Sequence, residues 1–214
     1  IGRKNVPVGR KADYMKVFDY SILANRTWDN EIVSYLAQIH EYKGKQELYI
    51  RQKPVELERL IEIARIQSTE ASNRIEGIVT TNARLKQLVE NKTTPRNRDE
   101  KEIAGYRDAL NIVHENFDYI PLTPNYILQL HKILLSHTDS AFGGSFKNVQ
   151  NYISATDEAG NRFTLFTPLA PYETPDAMRE ICDEYNRAIG EGKVDPLLII
   201  PVFIHDFLCI HPFL

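Results

Sequence analysis

An all-α bundle carrying one small β-hairpin is the fold class this sequence predicts, and three observations predict it. Apolar residues recur at helical spacing through most of the 214 residues. Proline, glycine, Asn, Asp and Thr stand where those periodic runs begin and end. A single stretch, from Phe142 to Pro171, abandons the helical period for two short β-prone runs around a turn.

Taken in order, residues 1–27 lack periodicity and read as an extended or partly ordered arm. Its basic start, Arg3-Lys4 to Arg10-Lys11, reads as a solvated tail. A helix from Asp29 to about Gln52 carries Ile32, Tyr35, Leu36, Ile39 and Tyr42, weakened by Gly44. Pro54 sits where a first helical turn tolerates proline, and Leu57, Leu60, Ile61, Ala64 and Ile66 form the next stripe. Glu76-Gly77 stops that helix. Thr81 or Asn82 caps a short helix through Val89. Asn97 and Asp99 open one containing Ile103, Tyr106, Leu110, Val113 and Phe117. Thr123-Pro124 pairs a cap with a first-turn proline ahead of Ile127, Leu130, Ile133 and Leu134. Gly143-Gly144 breaks the helical pattern, and Val149–Ser154 and Arg162–Phe166 form the hairpin, with Ala159-Gly160-Asn161 at its tip. Thr174-Pro175-Asp176 caps a helix to about Ala188. Asp195-Pro196 starts the last helix, which Pro201 should kink. No Pro/Gly-rich linker splits the chain, and the weakest joint lies around residues 91–98.

Composition narrows the function classes. With 43% hydrophobic and 26% charged residues and a net charge of -3, the chain is ordinary globular protein without a basic footprint for nucleic acid. No apolar run reaches the length of a membrane span. Leu197–Ile210 comes nearest, but it is short and holds His205 and Asp206. Cys182 and Cys209 have no metal-ligand spacing, and a reducing, cytoplasmic setting is the simplest expectation.

Three features carry candidate chemistry. The last helix is apolar on nearly every side and should be buried, delivering His211 rigidly at its end as a general base requires. Pro212 biases His211 out of the helical region, so the ring should stand at a helix-to-loop transition. Upstream, Ser72-Asn73-Arg74-Ile75-Glu76-Gly77 places Ser72 and Glu76 on one helical face. Third is the hairpin with its flanks, Gly144-Ser145-Phe146-Lys147, Asn151-Tyr152-Ile153, Phe166-Thr167-Pro168 and Pro175-Asp176-Ala177-Met178. Each has a plainer reading on its own: a histidine favoured by a helix dipole, a solvated carboxylate at a helix end, and a surface hairpin.

In this order and at these separations the three resemble the Fic family, over about Val55 to Leu214. Ile210-His211-Pro212-Phe213 is similar to the opening of the motif HPFx(D/E)GNGRxxR. Residues 72–77 resemble the (S/T)xxxE(G/N) inhibitory helix, and the hairpin resembles the family's flap. Lys147 stands where the family more often has arginine, and Asn151 where it more often has valine. The resemblance implies a Fic-type helical bundle: residues 1–53 as N-terminal arm and helix, 54–95 as inhibitory-helix region and 96–214 as a Fic core interrupted within its motif. It implies an autoinhibited protein adenylyltransferase that moves AMP from ATP to a Ser, Thr or Tyr hydroxyl of a target protein. His211 would be its catalytic base. Ser72, Glu76 and Gly77 would form the brake, Glu76 competing with the γ-phosphate for the motif's last arginine. Asn151, Tyr152, Ile153, Phe166, Thr167 and Pro168 would clamp the target by strand addition. ATP and Mg²⁺ are the implied substrate and cofactor, with the metal ligand and phosphate cradle beyond Leu214 and no metal ligand in this chain. No nucleic-acid or membrane partner is expected from this segment, and a homodimer is compatible with it. Transfer of phosphate, UMP or phosphocholine, de-AMPylation, and a non-catalytic helical interaction module stay open as alternatives.

Overall fold

The computed structural model describes residues 18–52 and 54–214, so the basic tail of the first eleven residues lies outside the described residues. Among the described residues, seven α-helices, two short 3-10 turns and one two-stranded antiparallel sheet occur, the helices and strands in the order α1 (Asn30–Gln52), α2 (Pro54–Ile75), α3 (Asn82–Val89), α4 (Arg98–Asn116), α5 (Pro124–Leu134), β1 (Ile153–Thr156), β2 (Arg162–Phe166), α6 (Thr174–Glu191) and α7 (Pro196–Ile210). No helix among the described residues is long and apolar enough to cross a membrane.

Local chemistry accounts for most boundaries. The side chains of Asp29, Thr81, Asn97, Thr123 and Asp195 each accept from a main-chain N–H in the first turn that follows, satisfying donors that a helix start leaves unpaired. Gly77, at φ 76°, ends α2: its N–H donates to the Arg74 carbonyl and that of Ile78 to the Asn73 carbonyl, a Schellman closure that needs a left-handed residue. One cap differs from expectation. Glu173 precedes α6 without a side-chain cap, because the Thr174 hydroxyl donates to the Ala170 carbonyl instead.

Packing builds the bundle from neighbours in sequence: α2 lies on α3 and α4, α4 on α5, α5 on α6, and α6 on α7. One apolar cluster joins Leu85 and Leu88 of α3 to Ile103 of α4. A second joins Ala177, Met178, Ile181 and Cys182 of α6 to Ile210 of α7. A third anchors the end of the arm: Tyr20 and Leu23, in the 3-10 turn Tyr20–Asn25, are buried with Ala188, Val194 and Ile199. The Tyr20 hydroxyl donates to Asp206 at 3.2 Å and its N–H to Glu184 at 2.7 Å, pinning the arm to α6 and α7.

The last helix also departs from its expected burial on all sides. Ile199, Asp206 and Ile210 are buried, whereas Ile200, Ile204 and Leu208, one turn apart, are 38%, 49% and 58% exposed. α7 is therefore a surface-lying helix with an open apolar stripe. Pro201 stands inside α7, past the first turn, and having no N–H it leaves the Leu197 carbonyl without its helical donor, yet α7 continues as helix from Pro196 to Ile210. α1 buries no residue and is tied to the start of α7 by His40 and Asp195, 2.6 Å apart.

α4 and α5 approach closely at Gly105, where a Cβ would lie 1.9 Å from the Leu134 carbonyl oxygen. Gly105→Ala should therefore force α4 and α5 apart. Alanine gains roughly 1 kcal/mol in helix propensity, but overpacking against an immovable main chain outweighs it. A net loss of about 2 kcal/mol is expected, read from chemical denaturation midpoints.

Candidate functional site

Three elements converge on the end of α7. The helix hydrogen bonding closes with the His211 N–H donating to the Phe207 carbonyl at 2.9 Å. His211 itself then turns left-handed, at φ 49° and ψ 67°. It is one of two non-glycine residues with positive φ among the described residues, and such a conformation is maintained only where surroundings impose it. Pro212 explains why the helix cannot run on.

The surroundings are specific. Pro212 and Ile210 are buried, which anchors the chain on both sides of His211. Phe213 stacks on His131 of α5, centroids 3.8 Å apart and planes at 19°, and lies 6.1 Å from both Phe146 and Phe207. His131 is fixed in turn: its Nδ1 accepts from the Gly144 N–H at 3.3 Å, and burial lowers its pKa. The loop before the hairpin holds the main chain, with the Lys147 N–H donating to the Pro212 carbonyl at 2.8 Å.

His211 is half-buried, and its ring makes no hydrogen bond with the described residues. Burial lowers its pKa below the ordinary histidine value, and the nearby positive charge of Lys147 lowers it further. A neutral imidazole at neutral pH, rigid in its backbone and untied at its ring, can accept a proton from a bound hydroxyl.

The hairpin stands beside this turn. Its tip is tightened by the Asp157 carboxylate, which accepts from the N–H groups of Ala159 and Asn161 at 3.0 and 2.8 Å. A register irregularity lies between Ile153 and Ser154. Tyr152, Ile153, Phe166 and Thr167 are exposed, and every residue of β2 is solvent-facing at the outer edge of the sheet. Of the other residues expected to touch a target, Asn151 turns its side chain inward to the carbonyls of His211 and Phe213, and Pro168 is buried.

The Ser72–Gly77 segment lies apart. The Ser72 hydroxyl accepts from Tyr106 of α4 at 2.9 Å, and Asn73 is buried with its amide donating to the Thr69 carbonyl. Glu76 is exposed at the helix end, with no ion pair among the described residues, and no hydrogen bond links it to the His211 turn. The structure thus brings His211, Ile210, Pro212, Phe213 and the hairpin base together and leaves Ser72, Glu76 and Gly77 outside that group.

Sequence reasoning missed two residues. His131 reads as packing and gives no sign in the sequence that its ring supports Phe213. Lys147 stood in the flap pattern as a departure from arginine, and its role as an anchor of the histidine turn follows only from the fold.

Residues 121–214 match the Fic/DOC family model, a span that starts just before α5 and takes in the hairpin, α6, α7 and the His211 turn. Among solved structures, the chain is similar to a Fic-domain-containing signalling protein from Bacteroides thetaiotaomicron VPI-5482, with a TM-score of 0.64 and 26% sequence identity. The alignment covers 75% of this chain and 60% of that one, so the present chain spans less than two thirds of that protein's length. No curated protein matches. The mostly helical architecture with a small antiparallel hairpin matches the fold of that Fic-domain protein.

Proposed function

We propose that this chain is the histidine-bearing part of an autoinhibited protein adenylyltransferase, with ATP as the donor and a hydroxyl of a target protein as the acceptor. The observation that carries the reading is the His211 turn: a neutral imidazole, backbone-locked, beside an exposed strand edge. A target segment paired along that edge would place its Ser, Thr or Tyr hydroxyl near the ring through main-chain bonds alone. His211 would take the hydroxyl proton as the oxygen bonds to the α-phosphorus, the bond from that phosphorus to the bridging oxygen breaks, and pyrophosphate leaves with its electron pair.

Mg²⁺ is the usual companion of such chemistry, screening phosphate charge. Among the described residues, no group of three or more His, Cys, Asp or Glu side chains converges on a point, so they do not fit a Mg²⁺ site and no step here runs through the ion. The brake would be Glu76. Exposed at the end of α2, its carboxylate is open to a guanidinium that would otherwise grip the γ-phosphate.

The test uses the protein extended past Leu214, carrying Glu76→Gly, incubated with ATP labelled at the α- or the γ-phosphate. Label should appear on protein from the α-position and not from the γ-position. Label from γ alone would replace AMP transfer by phosphate transfer, and no label from either would overturn the reading.

A further inference from the structure

Four consecutive main-chain carbonyls, Ile210 to Phe213, are all held by two side chains and one N–H from the loop before the hairpin. The Lys147 ammonium donates to the Ile210 carbonyl at 2.8 Å, and the Lys147 N–H to that of Pro212 at 2.8 Å. The Asn151 amide donates to the carbonyls of His211 at 3.4 Å and Phe213 at 3.0 Å. Lys147 also donates to the Asn151 side-chain oxygen at 3.1 Å, which locks the two together.

Lys147 is an unusual residue to find there. It is 3% exposed and pairs with no carboxylate among the described residues, so its charge is solvated by oxygen dipoles alone. Burial pushes its pKa down to about 8. A buried ammonium without a counterion is costly, and a hydrophobic side chain would fill the space more cheaply. What the ammonium supplies that a methyl cannot is a donor aimed at the carbonyl just before a left-handed histidine.

We infer that Lys147 and Asn151 are positioning residues that clamp the His211 turn and join it to the base of the hairpin. The junction continues through Gln150, whose amide donates at 3.0 Å to both the Asn151 and Pro168 carbonyls and so closes the open end of the hairpin. The imidazole and the strand edge are then referenced to one anchor. A target held on the edge meets a ring whose position does not depend on the mobility of either partner. This inference rests on the proposed adenylyltransferase reading for its purpose, and on the clamp geometry for its existence.

The titratable groups on the elements around the turn include Lys147 itself, His131 and Lys132 on α5, Cys182 on α6, His205, Asp206 and Cys209 on α7, and Tyr152 beside β1. Asp206 is engaged by the Tyr20 hydroxyl. Lys147 is the neighbour whose charge bears on His211.

The experiment follows each histidine by NMR across pH in the chain itself, with the variants Lys147→Met, Lys147→Arg and Asn151→Ala. Lys147→Met should raise the His211 midpoint, and Lys147→Arg should keep it low. Asn151→Ala removes two turn-holding bonds and no charge. It should speed exchange of the His211 amide by about 10-fold or more, because the last turn of α7 then opens locally. An unchanged His211 midpoint in Lys147→Met, or unchanged His211 exchange in Asn151→Ala, overturns the clamp. Should Lys147→Met fail to fold, Asn151→Ala decides alone. None of these readouts involves nucleotide, so a failure of AMP transfer leaves the result standing, and a failed clamp leaves AMP transfer to its own test.

Discussion

Replacing His211 by alanine, in the protein extended past Leu214 and released at Glu76, should lower AMP transfer by roughly 10²–10⁴-fold, the range general-base groups supply. The fold should survive, because the contacts that shape the turn belong to the main chain, Pro212 and Phe213 and not to the ring. The pH profile should carry the signature of the same group. Burial, and then the charge of Lys147, lower the His211 pKa from the ordinary value of 6.5. A base works only when neutral, so the rate should hold as pH falls through that ordinary value and drop only at the lower folded-state value. Rates of label incorporation between about pH 5 and pH 8 give the profile. A midpoint at or above the ordinary value would mean that the ring is solvated, and would remove the physical basis for its role.

The largest expected effect on stability lies elsewhere, at Glu100. This carboxylate is 4% exposed and accepts from the Arg84 guanidinium through both oxygens, at 2.9 and 2.6 Å. It also accepts from the Arg96 N–H at 2.9 Å and the Thr80 hydroxyl at 3.3 Å. Arg84 itself continues to the Thr93 hydroxyl and the Thr94 carbonyl, so one ion pair closes the 91–97 connection onto α3 and α4. Glu100→Gln leaves the guanidinium facing a neutral amide in a nearly closed space. Breaking one side of a buried pair costs on the order of 3 kcal/mol, which for a chain of this size lowers Tm by roughly 6–12 °C. The Arg84 hydrogen bonds hold the Glu100 pKa down to about 2, against an ordinary value of 4.5. Because the folded-state value is the lower, the stabilisation is complete above the ordinary value and is lost as pH falls from there toward 2. Wild type should therefore lose stability across that acid range, and Glu100→Gln should show a flatter dependence. Thermal melts at stepped pH check both statements.

The segment around Arg84 and Glu100 illustrates what a sequence hides. Residues 91–98 look like the weakest joint of the chain, Asn, Lys, Thr and Pro without apolar period. The joint is held by a charge pair between residues sixteen apart, and no local pattern announces such a pair. The arm hid its anchor for the opposite reason. Tyr20 and Leu23 are too few to show periodicity, yet both are buried, because burial is decided by what lies across the gap. α7 misled through its own uniformity: an unbroken apolar run carries no information about which face is covered, and the exposed stripe Ile200, Ile204 and Leu208 emerged only from its packing on α6.

The local decisions were legible in the residues themselves. Helix starts at Thr81, Asn97, Thr123 and Asp195, the stop at Gly77 and the hairpin turn at Asp157–Asn161 follow from side chains that bond their own neighbouring main chain, an interaction of short sequence range. The helix stop before Pro212 belongs with them, because a proline disfavours a helical residue before it, whereas the left-handed turn that His211 takes there is imposed by its surroundings. What only the tertiary structure decided was the company that turn keeps. Lys147 and Asn151 lie some sixty residues before it and His131 eighty, and their choice of partners depended on α5, α6 and α7 packing first. Hydrogen bonds and ring contacts reach only a few ångströms, so a site assembled from distant segments exists in the fold and nowhere along the chain.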